Sequence, residues 1–142
     1  MNYYHHTKNI QIDPTIIPNS TSILILSRDF NKSLCADLIP SNITSLYIFG
    51  NFNQEIKSGD LPQNLKSLCI SSDFNQKIKP GVLPENLKDL QLNFKYNQPI
   101  EPGTLPPNLQ RLSLGTCRSQ FIKEKNHNLR INIIEILYLF VN

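Results

Sequence analysis

The sequence predicts a mainly β solenoid of about five to six turns, 22 residues each, with parallel strands on one face and extended, Pro/Gly-rich returns. Three observations predict it. Pro18, Pro40, Pro62, Pro84 and Pro106 fall 22 positions apart, each preceded by Ile or Leu, a period that belongs to stacked-repeat architectures. Apolar residues recur at fixed offsets from each proline, with no insertion or deletion between Pro18 and Ile122. Pro80-Gly81 and Pro102-Gly103 occupy the same place in successive units, where a type II turn wants proline first and glycine second and a regular helix cannot run.

In chain order, residues 1–16 read as an amino-terminal cap. Asn9 and Ile12 fall one period before Asn31 and Leu34, but Lys8 stands where an aromatic recurs later, so residues 1–12 are expected to form a frayed half-turn. Residues 17–126 are the repeats. Each opens with a strand of about five residues: Leu68 and Ile70 alternate with Ser67, Cys69 and Ser71, the period-two pattern of a sheet with one buried face. Leu24, Leu46, Leu68, Leu90 and Leu112 form one inward column. Leu26, Ile48, Ile70, Leu92 and Leu114 form a second, and Thr21, Ile43, Leu65, Leu87 and Leu109 a third. The return begins with an aromatic and an asparagine, Phe30-Asn31, Phe52-Asn53, Phe74-Asn75 and Tyr96-Asn97, and reaches Leu34, Ile56, Ile78, Ile100 and Ile122. Residues 127–142 read as a degenerate last turn, in which Ile131, Ile134 and Ile136 take the three strand columns and Phe140 the aromatic one. A short apolar helix sealing the end is the competing reading of so apolar a run.

One unit cannot stand alone, because its six apolar side chains do not offset the entropy of ordering 22 backbones. Stability must come from stacking, so the whole chain is one domain. The aromatic column is expected to be a stacked core spine. The asparagine column is expected to supply buried amides that bridge backbone groups of adjacent rungs.

Composition narrows the function. The chain is 39% hydrophobic with a formal charge of +3 and no charge run, which excludes a disordered tail and argues against a nucleic-acid footprint. The amino terminus lacks the apolar stretch of a signal peptide, and no segment is long enough to span a bilayer. Cys35, Cys69 and Cys117 match neither a metal motif nor a disulfide framework, so cytoplasmic residence with reduced thiols is the default. His5, His6 and His127 read as solvated surface. Neither a phosphate loop nor a nucleophile or metalloprotease motif occurs, and Asp89 and Glu135 on an open sheet lack the burial that acid/base work needs. We therefore expect no enzymatic activity, no metal and no cofactor.

Function is expected on the side chains that the strands turn outward, since the inward columns are committed to stacking. The candidate protein-binding residues are Ile25, Tyr47, Phe49, Cys69, Asp89, Gln91, Asn93 and Arg111. Outward residues run from apolar in the first rungs to polar and charged in the fourth and fifth. Ile23, Ile25, Tyr47 and Phe49 form an apolar patch that needs a partner or a cover, and the amino-terminal residues folding over it are the alternative cover. Two other functions compete. Lys66 with Lys88, and Lys57 with Lys79, are lysine pairs one rung apart that offer a thin footprint for nucleic acid. A shortened paralogue with no retained task is the third reading.

The strings Phe74-Asn-Gln-Lys-Ile-Lys-Pro-Gly-Val-Leu-Pro84 and Tyr96-Asn-Gln-Pro-Ile-Glu-Pro-Gly-Thr-Leu-Pro106 resemble the FNIP repeat, over residues 17–122. That family has 22-residue units related to leucine-rich repeats and abounds in social amoebae and in giant DNA viruses of amoebae, whose AT-rich coding bias the asparagine and isoleucine content also resembles. Leu65-x-x-Leu68-x-Ile70 is similar to the leucine-rich-repeat strand signature, and the Leu-Pro before it is similar to short bacterial versions with an extended convex side. Asn75 departs from that signature, standing two positions later than the leucine-rich-repeat asparagine. The resemblance implies a leucine-rich-repeat-like interaction scaffold that binds another protein in the cytoplasm, the host's if the source is viral. It also implies a link to ubiquitin ligases, because viral relatives often carry an F-box ahead of the repeats. About 16 residues precede the first repeat here, too few for an F-box.

Overall fold

The structure, a computed structural model, describes residues 2–93, 95–114 and 130–132. Among them seven strands form one parallel sheet in chain order. They are β1 (Tyr3–His6), β2 (Ile23–Leu26), β3 (Ser45–Gly50), β4 (Ser67–Ser72), β5 (Asp89–Leu92), β6 (Arg111–Leu114) and β7 (Arg130–Asn132). From β2 to β6 the register advances by one sequence period per rung: Leu24 pairs with Leu46, Leu46 with Leu68, Leu68 with Leu90 and Leu90 with Leu112. Between β2 and β6 every connection makes the same displacement, and strands that all repeat one displacement must run parallel.

Each proline opens a tight turn into its strand. The N–H groups of Thr21, Ile43, Leu65, Leu87 and Leu109 donate to the carbonyls of Pro18, Pro40, Pro62, Pro84 and Pro106 at 2.9–3.0 Å. The second corner is the expected Pro-Gly turn. Val82 N–H donates to the Lys79 carbonyl across Pro80-Gly81, and Thr104 N–H to the Glu101 carbonyl across Pro102-Gly103. Gly81 and Gly103 have φ of 79° and 80°, the left-handed region where a Cβ is strained. In the earliest repeat Asp37 holds that place with φ 65°, the short polar residue that tolerates it best after glycine and asparagine. The only other described helix-like piece is a 3-10 turn at Pro14–Ile16, capped by the Asp13 carboxylate, which accepts from Thr15 N–H and Oγ1.

The interior is one continuous cluster of the predicted columns. Leu46, Ile48, Leu65 and Phe52 are fully enclosed. The rings of Phe30, Phe52, Phe74 and Tyr96 stack one above the next, with centroids 6.1, 5.9 and 5.9 Å apart and planes within 16°. Offset stacks of this kind add about 0.5–1.5 kcal/mol per pair beyond their buried area. The residues before the prolines, Ile17, Ile39, Leu61, Leu83 and Leu105, complete the core along the return side.

The asparagine column bridges rungs as expected, but at the surface. Oδ1 of Asn9, Asn31, Asn53 and Asn75 accepts from the backbone N–H of Asn31, Asn53, Asn75 and Asn97 in turn, at 2.9–3.1 Å. Asn53 and Asn97 are exposed and Asn31 and Asn75 half-buried, because only the acceptor oxygen has to reach the next rung. A second ladder runs beside the proline turns. Nδ2 of Asn42, Asn64, Asn86 and Asn108 donates to a carbonyl of the preceding rung, at Thr21, Ser41, Gln63 and Glu85. Backbone groups that an irregular return leaves unpaired thus find partners on both sides of the coil.

Both ends depart from the sequence expectation. Instead of a frayed half-turn, the amino terminus supplies a full rung: β1 pairs with β2, Tyr3 opposite Ile23 and His6 opposite Leu26. The strand offset there is 20 residues while the asparagine offset stays 22, so two residues are missing between strand and amide. His6 is not solvated but buried at 5% exposure. Its ring meets Phe30 edge-on at 5.6 Å, and its Nε2–H donates to the Ile10 carbonyl at 3.0 Å. His6, not residue 8, covers the first ring of the spine. At the other end a further rung does exist, but Ile131 pairs with Leu112 rather than taking the column of Leu109. Arg130-Ile131-Asn132 copies the polar-apolar-polar order of Arg111-Leu112-Ser113, and a two-sided sheet sets register by that alternation. Ile134, Ile136, Phe140 and the helix alternative lie outside the described residues.

Candidate functional site

The alternation of β2 to β6 turns one side of the sheet outward. Among the described residues no returning chain covers that side, since the described returns lie behind the inward columns. Burial follows the alternation: in β3, Leu46 and Ile48 are buried while Tyr47 is half-buried and Phe49 is 37% exposed. Residues one rung apart stand in register, so Tyr47, Cys69, Gln91 and Ser113 form a row, and Ser45, Ser67, Asp89 and Arg111 a second.

Of the predicted residues, Tyr47, Phe49, Cys69, Asp89, Gln91 and Arg111 come together on this face. The Tyr47 and Phe49 rings stack on each other, centroids 6.4 Å apart and planes 12° from parallel. Beside them a groove of about 360 Å³ is lined by Tyr47, Ser67, Asp89, Gln91, Arg111 and Ser113. Across its far end Arg111 Nε donates to Asp89 Oδ1, an ion pair between side chains 67% and 29% exposed. The carboxylate in turn holds the guanidinium pKa up. Pairs this accessible add little stability, so this one chiefly orients the two groups.

Four residues differ from expectation. Cys69 lies in the outward row but is only 9% exposed, because its in-register neighbours Tyr47 and Gln91 are larger and close over the small thiol. Burial pushes that thiol's pKa up, so it is a weak nucleophile. Asn93 follows β5 at the corner, where its Oδ1 accepts from Lys95 N–H at 3.2 Å and its carbonyl from Tyr96 N–H; it shapes the turn into the return. Ile25 and Ile23 are half-buried rather than open, flanked by β1 on one side and β3 on the other. The amino-terminal residues do not fold over Tyr47 and Phe49; they extend the sheet instead.

Sequence reasoning missed the groove's pairing, although the signal was present: Asp89 and Arg111 are opposite charges in one column, one period apart. The same rule explains the outer ion pair Lys95–Asp73 at 2.6 Å, whereas Lys79–Glu55 at 2.7 Å joins residues 24 apart and crosses columns. A second hollow, of about 390 Å³, lies between two proline turns and is lined by Pro40, Gly59, Pro62 and Asn64, which the repeat itself requires. Among the described residues no group of three His, Cys, Asp or Glu can hold a metal ion, and no helix is long and apolar enough to cross a membrane.

The repeat unit, its columns and its paired asparagines can now be compared with known proteins. The profile of the FNIP repeat matches residues 9–51, 52–95, 74–117 and 96–134. The chain belongs to the FNIP repeat family. Its FNIP coil is also similar to a solved structure, CroV588, described as a novel circular LRR protein. The two are 30% identical with a TM-score of 0.77, over 86% of this chain and 18% of that one. The chain thus matches less than a fifth of that protein's length. Comparison with curated proteins gave no match. An FNIP solenoid of leucine-rich-repeat type is a scaffold architecture: it offers a long, repeated surface.

Proposed function

We propose that this FNIP-repeat protein is a non-enzymatic scaffold that binds another protein through the outward side chains of its parallel sheet. One observation carries the reading: the stacked Tyr47 and Phe49 rings stand beside an open groove with a polar, charged far end. Apolar rings flanked by polar groups form the anchor-and-rim arrangement of protein interfaces, where Tyr and Arg are enriched. The face suits a macromolecule rather than a metabolite, because among the described residues it is a shallow strip with no enclosing wall. Nucleic acid fits less well. Of the four lysines that suggested it, Lys79 is neutralised by Glu55, and Lys57 and Lys79 lie on the returns, away from the rings.

We place the protein in the cytoplasm, that of the host if it is viral, where the family link to ubiquitin ligases would make the captured partner a substrate. The test is a pull-down from the native cell with the wild-type chain and the Tyr47→Ala/Phe49→Ala variant, scored for ubiquitin-ligase components. Circular dichroism and melting should stay unchanged in the variant while partner capture falls at least about tenfold, as expected for loss of two interface anchors. Equal capture by both proteins would remove this face from the function.

A further inference from the structure

The partner's chemistry can be narrowed on the assumption that the outward face is the binding surface. Its charge is one-sided. Lys66 and Lys88 are exposed at the entrance corners of β4 and β5, one residue before Ser67 and Asp89, which line the groove. Arg111 stands one rung on in the row of Ser67 and Asp89, and among the described residues the Nε bond to Asp89 commits one edge of its guanidinium, leaving the terminal amino groups for an acceptor from outside. Against these three cations the groove carries one carboxylate, Asp89, already engaged by Arg111. The opposite flank is balanced, since Asp73 is paired with Lys95. The groove is therefore apolar at the β3 end and net positive along one side as far as β6.

We infer that this groove takes an extended acidic segment of the partner protein, with a large apolar side chain on the Tyr47 and Phe49 rings and a carboxylate at Arg111. β3 and β6 are three rungs apart, roughly 14 Å, which an extended chain covers in about four residues. Lys66 and Lys88 flank that path and favour further Asp or Glu along it. The segment lies across the strands, so the sheet supplies pockets and charges rather than a backbone ladder.

Random linear peptides displayed on phage and selected on the full chain provide the probe, followed by fluorescence polarisation with the selected peptides. Expected sequences are rich in Asp and Glu, with Phe, Leu or Tyr about four residues from a carboxylate. Lys66→Glu/Lys88→Glu should weaken these peptides about tenfold and improve the same peptides with Lys in place of Glu, because like charges across an interface repel and opposite ones attract. Arg111→Gln should act in the same direction with a smaller change, and circular dichroism should report an intact fold for all variants. Failure to enrich peptides, enrichment without acidic bias, or indifference to the charge reversal overturns the inference. So does tighter binding of a single-stranded oligonucleotide with a steep salt dependence. If those results come while Tyr47→Ala/Phe49→Ala still abolishes partner capture, the acidic segment is wrong and the interaction face stands. If capture survives that variant too, both fall.

Discussion

The rungs from β2 to β5 and the rung that carries β1 fill the same slots with different residue counts. In the regular rungs a Phe or Tyr one residue before the asparagine supplies the ring, and every offset is 22. In the first rung two residues are missing between strand and amide, and the ring comes from within the strand, as His6. Even so, Asn9 delivers its oxygen to Asn31 at 3.0 Å, as Asn53 does to Asn75 at 2.9 Å. Stacking therefore fixes which slots must be occupied, a ring over a ring and an amide over an N–H, and leaves the chain free in how it reaches them.

The strongest way to break the comparison is to empty one ring slot in each region. Phe52→Ala, between Phe30 and Phe74, should cost about 3–5 kcal/mol and lower the melting temperature of the whole coil. His6→Ala should cost about 1–2 kcal/mol, and hydrogen exchange should speed up in β1 and β2 but not in β5. A global loss with His6→Ala would mean that the first rung nucleates the rest.

Next in size is Gly50→Ala. Gly50 has φ 79°, and a Cβ there would meet the Arg28 carbonyl oxygen of the preceding rung at 2.0 Å, a backbone contact that no rotamer relieves. We expect a loss of about 2–4 kcal/mol in urea unfolding; a neutral result would show that regular rungs can spread as easily as the first. Asn75→Ala removes the acceptor for Asn97 N–H and should cost about 1–2 kcal/mol, with Asn9→Ala costing less because only one rung depends on it.

The smallest effect concerns the outer ion pairs. Lys79, through its hydrogen bond and its charge, holds the Glu55 carboxyl below its ordinary value of 4.5. A lowered folded pKa stabilises the fold above the unfolded value, and that contribution disappears as pH falls from about 4.5 through the folded value. Glu55→Gln should flatten the pH dependence of melting in that acid window and leave neutral pH nearly unchanged.

The sequence carried the columns because they obey a fixed period. Leu68, Leu90 and Leu112 align in the interior as their spacing requires, and so do the rings and the Pro-Gly corners. His6 was illegible because it fills a ring slot from a register position that holds Leu26 one rung on, and only the shortened corner explains how. Ile131 was misaligned for a related reason: a strict count of 22 overrode the local alternation that sets register. The column of Asn42, Asn64, Asn86 and Asn108 was visible two residues after Pro40, Pro62, Pro84 and Pro106, yet nothing in it states that the amide crosses to the preceding rung. On the outward face, the positions followed from strand alternation. The closure over Cys69 did not, because it depends on the size of neighbours 22 residues away in either direction.

The asparagine ladder runs one way, each oxygen serving the N–H of the unit that follows. A joint of that kind is identical wherever it is made, so a whole unit can be deleted or copied without redesigning its neighbours. Unequal recombination within the gene would then lengthen or trim the binding strip in steps of one rung, giving evolution a dial for reach that is separate from the dial for specificity.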